Sequence, residues 1–217
     1  MNLEQARFNM VEQQIRPWEV LDQDVLDLLY VVRREEFVPA DFRALAFSDI
    51  EIPLGDGERM WAPRVEARVL QALGVKKNES ALEVGTGSGH FAGLLAHCVH
   101  HVTSVEINPR LKAFGQQNLE RQGIDNVSVE LGDAAQGWVT HAPYDIIVLT
   151  GSTPVLPRPF LAQLKPEGRL LAIVGDAPVM EARLVTCVAE GSHRSVNLFE
   201  TSFPPLRNAL QPKRFSF

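Results

Sequence analysis

Two kinds of apolar spacing divide the chain into an N-terminal and a C-terminal part. In the first part, apolar residues recur at helical intervals, which predicts a helix over Asp22–Val32 and another that begins at Pro63, a residue suited to a first helical turn. From Ser80 onward, short apolar runs alternate with helical segments, and each run predicts a strand. The predicted strands are Ala81–Val84, Val102–Ile107, Val127–Leu131, Ile146–Thr150 and Leu170–Val174.

The segments that connect these strands are helical in pattern. They predict helices over Phe91–Val99, Pro109–Gln122 and Pro157–Leu164. Strands joined by helical crossovers form a parallel sheet covered on both faces, with ligand crevices outside the carboxyl ends of the strands. We therefore expect an α/β fold with a doubly wound, mostly parallel, Rossmann-like sheet and an N-terminal helical cap.

Two further segments depart from this alternation. Leu184–Ala189 and Val196–Phe203 flank a glycine-containing turn, Gly191–His193, and predict an antiparallel hairpin at the C-terminal edge of the sheet. Phe47–Pro63 has no clear period and contains two glycines and two prolines. Such a stretch is either a functional loop or a linker, and the apolar residues within it favour a folded loop.

Composition and charge exclude several classes of protein. With 21 Lys and Arg against 27 Asp and Glu, the net charge of −6 has the wrong sign for binding a phosphate backbone, so no nucleic-acid partner is expected. No apolar run approaches the roughly 18 residues of a membrane span, and residues 1–10 lack the apolar stretch of a signal peptide. We therefore expect a cytoplasmic protein with no membrane partner.

Three groups of residues are interpreted as structural rather than functional. Cys187 lies in an apolar strand and is expected in the core. Arg33–Glu36 mixes charge signs, which is typical of a solvated face. The third group comprises His97, Cys98, His100 and His101. No carboxylate lies at metal-ligand spacing beside these residues, so no metal is expected there.

A glycine-rich loop follows the first predicted strand of the C-terminal part and opens the next helix. Glycines there let the backbone approach a ligand closely, while the amides of the helix N-terminus point at it. A dinucleotide fingerprint would place its third glycine where this chain has His90, which argues against a nicotinamide-dependent dehydrogenase. The loop residues expected to bind a ligand are Glu83, Gly85, Thr86, Gly87, Ser88 and Gly89.

Acidic residues recur at the ends of successive predicted strands. Glu106 ends the second strand about 20 residues after the glycines, where a carboxylate can accept hydrogen bonds from both hydroxyls of a ribose. Asp133 follows the third strand, where it either accepts a hydrogen bond from an adenine amino group or satisfies only its own turn. Together with Glu83, these acids favour a nucleoside site. The neighbouring residues included in the expected site are Ile107, Ala134 and Thr150.

Six short segments occur in a characteristic order within residues 8–175. They are Met10–Ile15 (MVEQQI), Arg34–Pro39 (REEFVP), Ile52–Gly55 (IPLG), Ala62–Pro63 (AP), Leu82–Gly89 (LEVGTGSG) and Pro143–Val148 (PYDIIV). On these segments the chain resembles the protein-L-isoaspartate O-methyltransferases, a family of S-adenosylmethionine-dependent enzymes with a Rossmann-like sheet. The resemblance implies methyl transfer from S-adenosylmethionine to the carboxylate of an exposed L-isoaspartyl residue in a protein or peptide, the first step in repairing aged protein.

One segment departs from the family pattern. Before the Ala-Pro pair the family has Gln-Thr-Ile-Ser, whereas this chain places Arg59 and Trp61 in the Thr and Ser positions. His90 likewise replaces a tyrosine that is usual after the glycine loop. A carboxylate nucleophile needs no general base, so losing the hydroxyls need not abolish transfer, but an indole there reshapes the substrate pocket. We therefore expect isoaspartyl methylation to be absent or much weaker than the resemblance implies.

Arg59 and Trp61 are the candidate catalytic residues at these positions. Arg59 either grips a substrate carboxylate through two hydrogen bonds or is a solvated loop residue. Trp61 either stacks on a substrate or closes a disused pocket. These possibilities leave two alternatives to isoaspartyl methylation: a methyltransferase of the same fold for another carboxylate or a small molecule, and a non-catalytic protein that binds S-adenosylmethionine.

One domain is expected over residues 1–217, because a chain of this length can bury a single sizeable core. A helical cap and substrate loop are expected over 1–77, a Rossmann-like core over 78–190, and an edge strand and tail over 191–217. The oligomeric state is left open.

Overall fold

Helices occupy the N-terminal part of the chain, and strands alternate with helices after residue 79. The computed structural model describes residues 2–212, so the end of the predicted tail, 213–217, lies outside the described residues. The α-helices are α1 (Leu3–Asn9), α2 (Gln23–Val31), α3 (Pro63–Leu73), α4 (His90–Cys98), α5 (Pro109–Arg121) and α6 (Arg158–Ala162). The strands are β1 (Ile52–Gly55), β2 (Glu58–Met60), β3 (Ser80–Val84), β4 (His101–Glu106), β5 (Val127–Leu131), β6 (Tyr144–Thr153), β7 (Leu164–Asp176), β8 (Val179–Ala189) and β9 (Ser192–Thr201).

The strands from β3 onward form one mixed sheet in the order β5-β4-β3-β6-β7-β8-β9. Neighbours from β5 to β7 pair in parallel, whereas β8 and β9 pair antiparallel at the C-terminal edge, which confirms the expected sheet. The chain moves outward from β3 to β5 and then returns to the other side of β3 with β6. Sheets of this kind bind ligands at such a reversal of strand order, outside the carboxyl ends of the strands.

Alternate residues of the central strands bury opposite faces of the sheet. In β6, Ile146 and Val148 join an apolar cluster that includes residues of α2 to α5, whereas Ile147 and Leu149 join a second cluster with Phe160 of α6. Successive side chains of a strand point to opposite faces, so a strand covered on both sides is apolar throughout. This is why short continuous apolar runs predicted the strands correctly.

The N-terminal cap is built from α1, a π-helix over Met10–Ile15, α2 and α3. The Asp22 side chain caps α2 by accepting hydrogen bonds from the backbone amides of Asp24 and Val25. Helix α3 begins at Pro63, whose fixed φ suits the first turn. Both predicted helix starts in this part of the chain are therefore confirmed, the first to within a residue.

Several segments differ in extent from their predictions. Strands β6 and β7 are longer at both ends than the predicted Ile146–Thr150 and Leu170–Val174. The loop expected over Phe47–Pro63 is folded, but it contains a hairpin of β1 and β2 in which Ile52 pairs with Met60. These strands have only 4 and 3 residues, too few for an alternating pattern to stand out. The C-terminal hairpin is confirmed, but its first strand starts earlier, at Val179, because β8 also pairs with β7. Its second strand starts at Ser192, so the turn is shorter than the predicted Gly191–His193.

Helix α4 starts at a close contact between two glycines. Gly89, the N-cap of α4, has a φ of +82°, and a Cβ on it would lie 2.8 Å from the carbonyl oxygen of Gly115 in α5. A Cβ on Gly115 would in turn lie 2.7 Å from Cγ2 of Thr86. The two glycines thus allow α5 to pack directly against the loop that precedes α4.

We expect Gly89→Ala to lower the free energy of unfolding by roughly 2 to 4 kcal/mol, because strain from a Cβ in left-handed backbone adds to overpacking against Gly115. Gly123→Ala is the matched control, since Gly123 has a φ of +67° but no atom within 4 Å of a Cβ position. Urea unfolding should show a loss of about 1 to 2 kcal/mol for this control. Equal losses in the two variants would show that the contact with Gly115 is energetically unimportant.

Candidate functional site

Two adjoining cavities lie at the carboxyl ends of the parallel strands. The larger has a volume of about 70 Å³ and the smaller about 30 Å³, so each is a narrow cleft between closely packed side chains. The predicted site residues that line the larger cavity are Arg59, Gly85, Gly87, Glu106, Ile107, Asp133, Ala134 and Thr150. Those that line the smaller cavity are Arg59, Trp61, Glu83, Gly85, Thr86, Gly87, Ser88 and Thr150.

The glycine loop at the end of β3 contributes to both cavities. Gly85 has a φ of +101°, and a Cβ on it would lie 2.3 Å from Oγ1 of Thr150, so glycine is required there. The Thr150 hydroxyl lies 2.8 Å from the carbonyl oxygen of Val84 and 2.7 Å from that of Gly85, which accept its hydrogen bond. Gly89 lines neither cavity, and its contact with α5 gives it a structural role.

Glu106 connects the glycine loop to the start of α5. One carboxylate oxygen accepts a hydrogen bond from the backbone amide of Gly87 at 2.9 Å, and the other accepts one from the amide of Asn108 at 2.9 Å. A carboxylate oxygen can accept two hydrogen bonds, so each oxygen retains capacity for a ligand hydroxyl. The side chain is buried and held in a fixed orientation at the wall of the larger cavity.

Asp133 has two hydrogen-bond partners within the protein. Its Oδ1 accepts from the backbone amide of Ala135 at 3.0 Å, which is the turn interaction considered above. Its Oδ2 accepts from the side-chain amide of Asn208 at 2.8 Å. Asp133 nevertheless lines the larger cavity, so a ligand there meets a carboxylate whose orientation is already set.

Glu83 is a fully buried carboxyl at the smaller cavity, with 0% of its surface exposed. The Ser104 hydroxyl donates to one carboxyl oxygen, and the other oxygen has no hydrogen-bond partner among the described residues. Burial raises the pKa of Glu83 to about 8, the Ser104 hydrogen bond opposes this shift, and the charges of Glu106 and Glu66 add to it. Glu83 is therefore mostly protonated at neutral pH.

Arg59 and Trp61, the two residues that differ from the family pattern, have different surroundings. Trp61 is buried, and its ring centroid lies 5.3 Å from that of Phe91 and 6.1 Å from that of Phe203, both in edge-to-face geometry. Arg59 is half exposed where the two cavities meet, and its guanidinium lies 3.3 Å from the carboxylate of Glu51. The smaller cavity thus has an aromatic wall and a cationic rim.

One wall of the larger cavity comes from residues 203–207, which sequence reasoning missed. The backbone of Ser152 pairs with this segment, and its carbonyl oxygen accepts from the amide of Leu206 at 2.8 Å. Further along, Nε of Arg207 donates to the carboxylate of Glu58 at 2.7 Å. The segment therefore connects the end of β6 to the β1–β2 hairpin alongside the cavity.

A buried charged cluster at the smaller cavity was also missed. Arg34 donates to the carboxylate of Glu66, and its other terminal nitrogen donates to the carbonyl oxygen of Trp61 at 2.6 Å. Nδ1 of His90 lies 3.0 Å from both carboxylate oxygens of Glu66. The interpretation of Arg33–Glu36 as a solvated face is therefore wrong, because Arg34 is buried against partners distant in sequence.

Residues 2–212 contain no group of three or more His, Cys, Asp or Glu side chains placed to hold a metal ion. Over the same range, no helix has both the length and the apolar character needed to cross a membrane. Both cysteines are free, and Cys187 is buried, as predicted.

The sheet order and the glycine loop at its point of reversal place the chain among Rossmann-like α/β proteins. The sequence profile of the protein-L-isoaspartate(D-aspartate) O-methyltransferase family matches residues 5–211. The chain is 38% identical to protein-L-isoaspartate O-methyltransferase 1 of Syntrophobacter fumaroxidans over 191 residues, 88% of this chain and 89% of that protein. It is 37% identical to protein-L-isoaspartate O-methyltransferase 2 of Pelobacter propionicus over 209 residues, 96% of this chain and 93% of that protein.

Solved structures show the same fold. A protein-L-isoaspartate O-methyltransferase superposes on 94% of this chain with a TM-score of 0.79 at 23% identity, and this chain spans only 65% of that longer one. A structure from Plasmodium falciparum assigned as a beta-aspartate methyltransferase, in complex with S-adenosyl-L-homocysteine, superposes on 91% of this chain and 96% of its own with a TM-score of 0.78 at 20% identity. The chain belongs to the protein-L-isoaspartate(D-aspartate) O-methyltransferase family.

The buried Glu83 carboxyl makes stability depend on pH. Its folded-state pKa of about 8 lies above its ordinary value of 4.5, so its stabilising contribution is complete below pH 4.5 and is lost as pH rises through about 8. We expect wild type to lose up to a few kcal/mol of unfolding free energy over this window relative to Glu83→Gln, which cannot ionise. Urea unfolding at a series of pH values measures the difference.

The exposed Glu190→Gln is the control for this pH series, and its difference from wild type should not vary between pH 5 and 8. A Glu83→Gln difference that is equally flat would contradict a protonated, buried Glu83.

Proposed function

We propose that the protein transfers the methyl group of S-adenosylmethionine to the carboxylate of an L-isoaspartyl residue in a protein or peptide. The observation that carries this proposal is that two cavities adjoin at one sheet edge, one walled by Glu106 and the glycine loop, the other rimmed by Arg59. Membership of the family makes the chain an S-adenosylmethionine-dependent methyltransferase. We assign the larger cavity to the cofactor and the smaller one, the acceptor cavity, to the substrate that receives the methyl group.

The residues that line the larger cavity suit a nucleoside cofactor. Gly85 is one of them, and because it has no side chain a ligand can approach its backbone closely. We assign Glu106 to the two ribose hydroxyls, since backbone amides already orient both of its oxygens. We assign Asp133, held by Asn208, to the adenine end. The remaining residues proposed to contact the bound cofactor are Gly87, Ile107 and Ala134 in the larger cavity, and Glu83, Thr86 and Ser88 where the smaller cavity adjoins it.

The chemistry requires orientation more than proton transfer. When bound, S-adenosylmethionine supplies a methyl group on a positively charged sulfur that a carboxylate attacks directly. The protein therefore contributes alignment and the exclusion of water. Trp61, packed against Phe91 and Phe203, gives the acceptor cavity an apolar wall. The guanidinium of Arg59 contacts the carboxylate of Glu51. When it releases Glu51, it can bind the carboxylate of a substrate through two hydrogen bonds.

Trp61 also favours a second candidate function, methyl transfer to another carboxylate or to a small molecule at the same site. A buried indole fills space at the smaller cavity that a serine side chain would leave open, so a smaller acceptor fits more readily. Binding of S-adenosylmethionine without transfer is the remaining alternative. The cytoplasmic location and the lack of a nucleic-acid partner stay predictions.

Incubation with labelled S-adenosylmethionine, an isoaspartyl peptide and a matched aspartyl peptide tests the proposed reaction. We expect slow transfer, confined to the isoaspartyl peptide. Arg59→Thr combined with Trp61→Ser removes the guanidinium contact but should still raise turnover by about tenfold or more, because the indole displaces the acceptor carboxylate and a displacement of about 1 Å can cost on the order of a hundredfold. The affinity for S-adenosylhomocysteine should stay unchanged.

Two results of this assay would contradict these expectations in different ways. Efficient methylation by the wild type that the double substitution slows would show that Trp61 belongs to a working isoaspartyl pocket. Transfer to neither peptide by either protein, with the cofactor bound, would contradict the proposed reaction and favour another acceptor or a binding function.

The assignment of Glu106 predicts that Glu106→Ala loses about 1 to 3 kcal/mol of affinity for S-adenosylhomocysteine, because two ligand hydroxyls lose their acceptors. Titration calorimetry measures the loss, with NAD as a comparison ligand that we expect not to bind. Glu106→Gln keeps one acceptor oxygen and should lose less, and urea unfolding of both variants checks that the loop remains folded. Unchanged affinity in Glu106→Ala, or a preference for NAD, would remove Glu106 from the proposed role.

A further inference from the structure

The cluster of Arg34, Glu66 and His90 takes no part in the proposed chemistry, although Glu66 lines the acceptor cavity. The three residues are only 1 to 2% exposed. Buried ion pairs contribute little to stability compared with apolar residues of similar size, because desolvation offsets the attraction between the charges. The cluster therefore needs an explanation other than stability, and its hydrogen bonds supply one.

The hydrogen bonds of Arg34 connect two elements that wall the acceptor cavity. Arg34 lies in a turn after α2, and its guanidinium bonds both the carboxylate of Glu66 in α3 and the carbonyl oxygen of Trp61. The guanidinium is planar, so these two bonds fix Glu66 and the Trp61 backbone relative to each other. Arg34 thereby holds the segment that carries the aromatic wall.

His90 adds a third element to the same cluster. Its Nδ1 lies 3.0 Å from both oxygens of the Glu66 carboxylate and 3.4 Å from Nη1 of Arg34, so a hydrogen on Nδ1 donates to the nearer carboxylate. His90 is the first residue of α4, directly after the glycine loop, and its ring packs edge-on against Phe37 at 5.2 Å. Glu66 is thus held from the loop side by His90 and from the cap side by Arg34.

We propose that Arg34, Glu66 and His90 are positioning residues that hold the Trp61 wall and so fix the shape of the acceptor cavity. The proposal rests on the proposed function only for the identity of the acceptor. A matched apolar replacement separates positioning from stability, because it removes the hydrogen bonds without leaving a buried charge unpaired.

The test follows Trp61 fluorescence in a protein that carries Trp18→Phe and Trp138→Phe, which leaves Trp61 as the single tryptophan. In this background, Arg34→Met, Glu66→Leu and His90→Phe are combined. We expect a cooperatively folded protein in which quenching of Trp61 by acrylamide rises at least about twofold, because the wall is no longer held.

Arg34→Lys is a second, milder variant. Its ammonium keeps a charge opposite Glu66 but lacks the fork that reaches the Trp61 carbonyl at the same time, so quenching should again rise. Arg7→Met with Glu35→Leu is the control, because this pair is also buried in the cap but bonds no residue of the acceptor cavity. Its quenching should equal that of the background.

Unchanged Trp61 quenching in the folded triple variant would overturn the proposal. If the triple variant does not fold, unchanged quenching in Arg34→Lys does the same. A rise in the control as large as in these variants would also overturn it, since the effect would then not depend on contact with Trp61. The measurement needs no substrate, so it is independent of whether the isoaspartyl peptide is methylated.

Discussion

The packing of the glycine loop between Thr150 and Gly115 is the constraint on which the rest of the site depends. A Cβ on Gly85 would collide with Thr150, and one on Gly89 would collide with Gly115, so the backbone has one narrow path from β3 to α4. That path brings the amide of Gly87 to the carboxylate of Glu106. The shape of the loop and the orientation of the acidic wall are therefore one structural unit, and neither can move without the other.

The sequence predicted the elements whose formation depends on local pattern. The strands that flank the site are buried on both faces, and Pro63 and Gly89 stand at helix boundaries for local conformational reasons. Contacts between segments that are distant in sequence leave no local pattern from which they could be predicted. Arg207 reaches Glu58, and Asn208 reaches Asp133, only because the chain end returns to the cavity after the antiparallel strands.

Arg34 shows the same limit for charged residues. A run of mixed charges is ordinarily solvated, because burying a charge is costly unless it is paired and hydrogen-bonded. The groups that pair with Arg34 are the carboxylate of Glu66 and the carbonyl oxygen of Trp61, which lie further along the chain. No periodic pattern of the sequence links these residues to Arg34. Its burial is therefore a tertiary property. The family resemblance covers this arginine, but the resemblance alone does not place it at the acceptor cavity.

The buried carboxyls at the two cavities are compensated in different ways, and the difference suits an anionic acceptor. Glu106 accepts two backbone amides, and Glu66 faces Arg34 and His90, whereas Glu83 has only the Ser104 hydroxyl and retains its proton because burial raises its pKa to about 8. An ionised Glu83 would add a negative charge to the wall that a substrate carboxylate must approach. Because Glu83 keeps its proton at neutral pH, its side chain adds no negative charge to the cavity whose rim carries the guanidinium of Arg59.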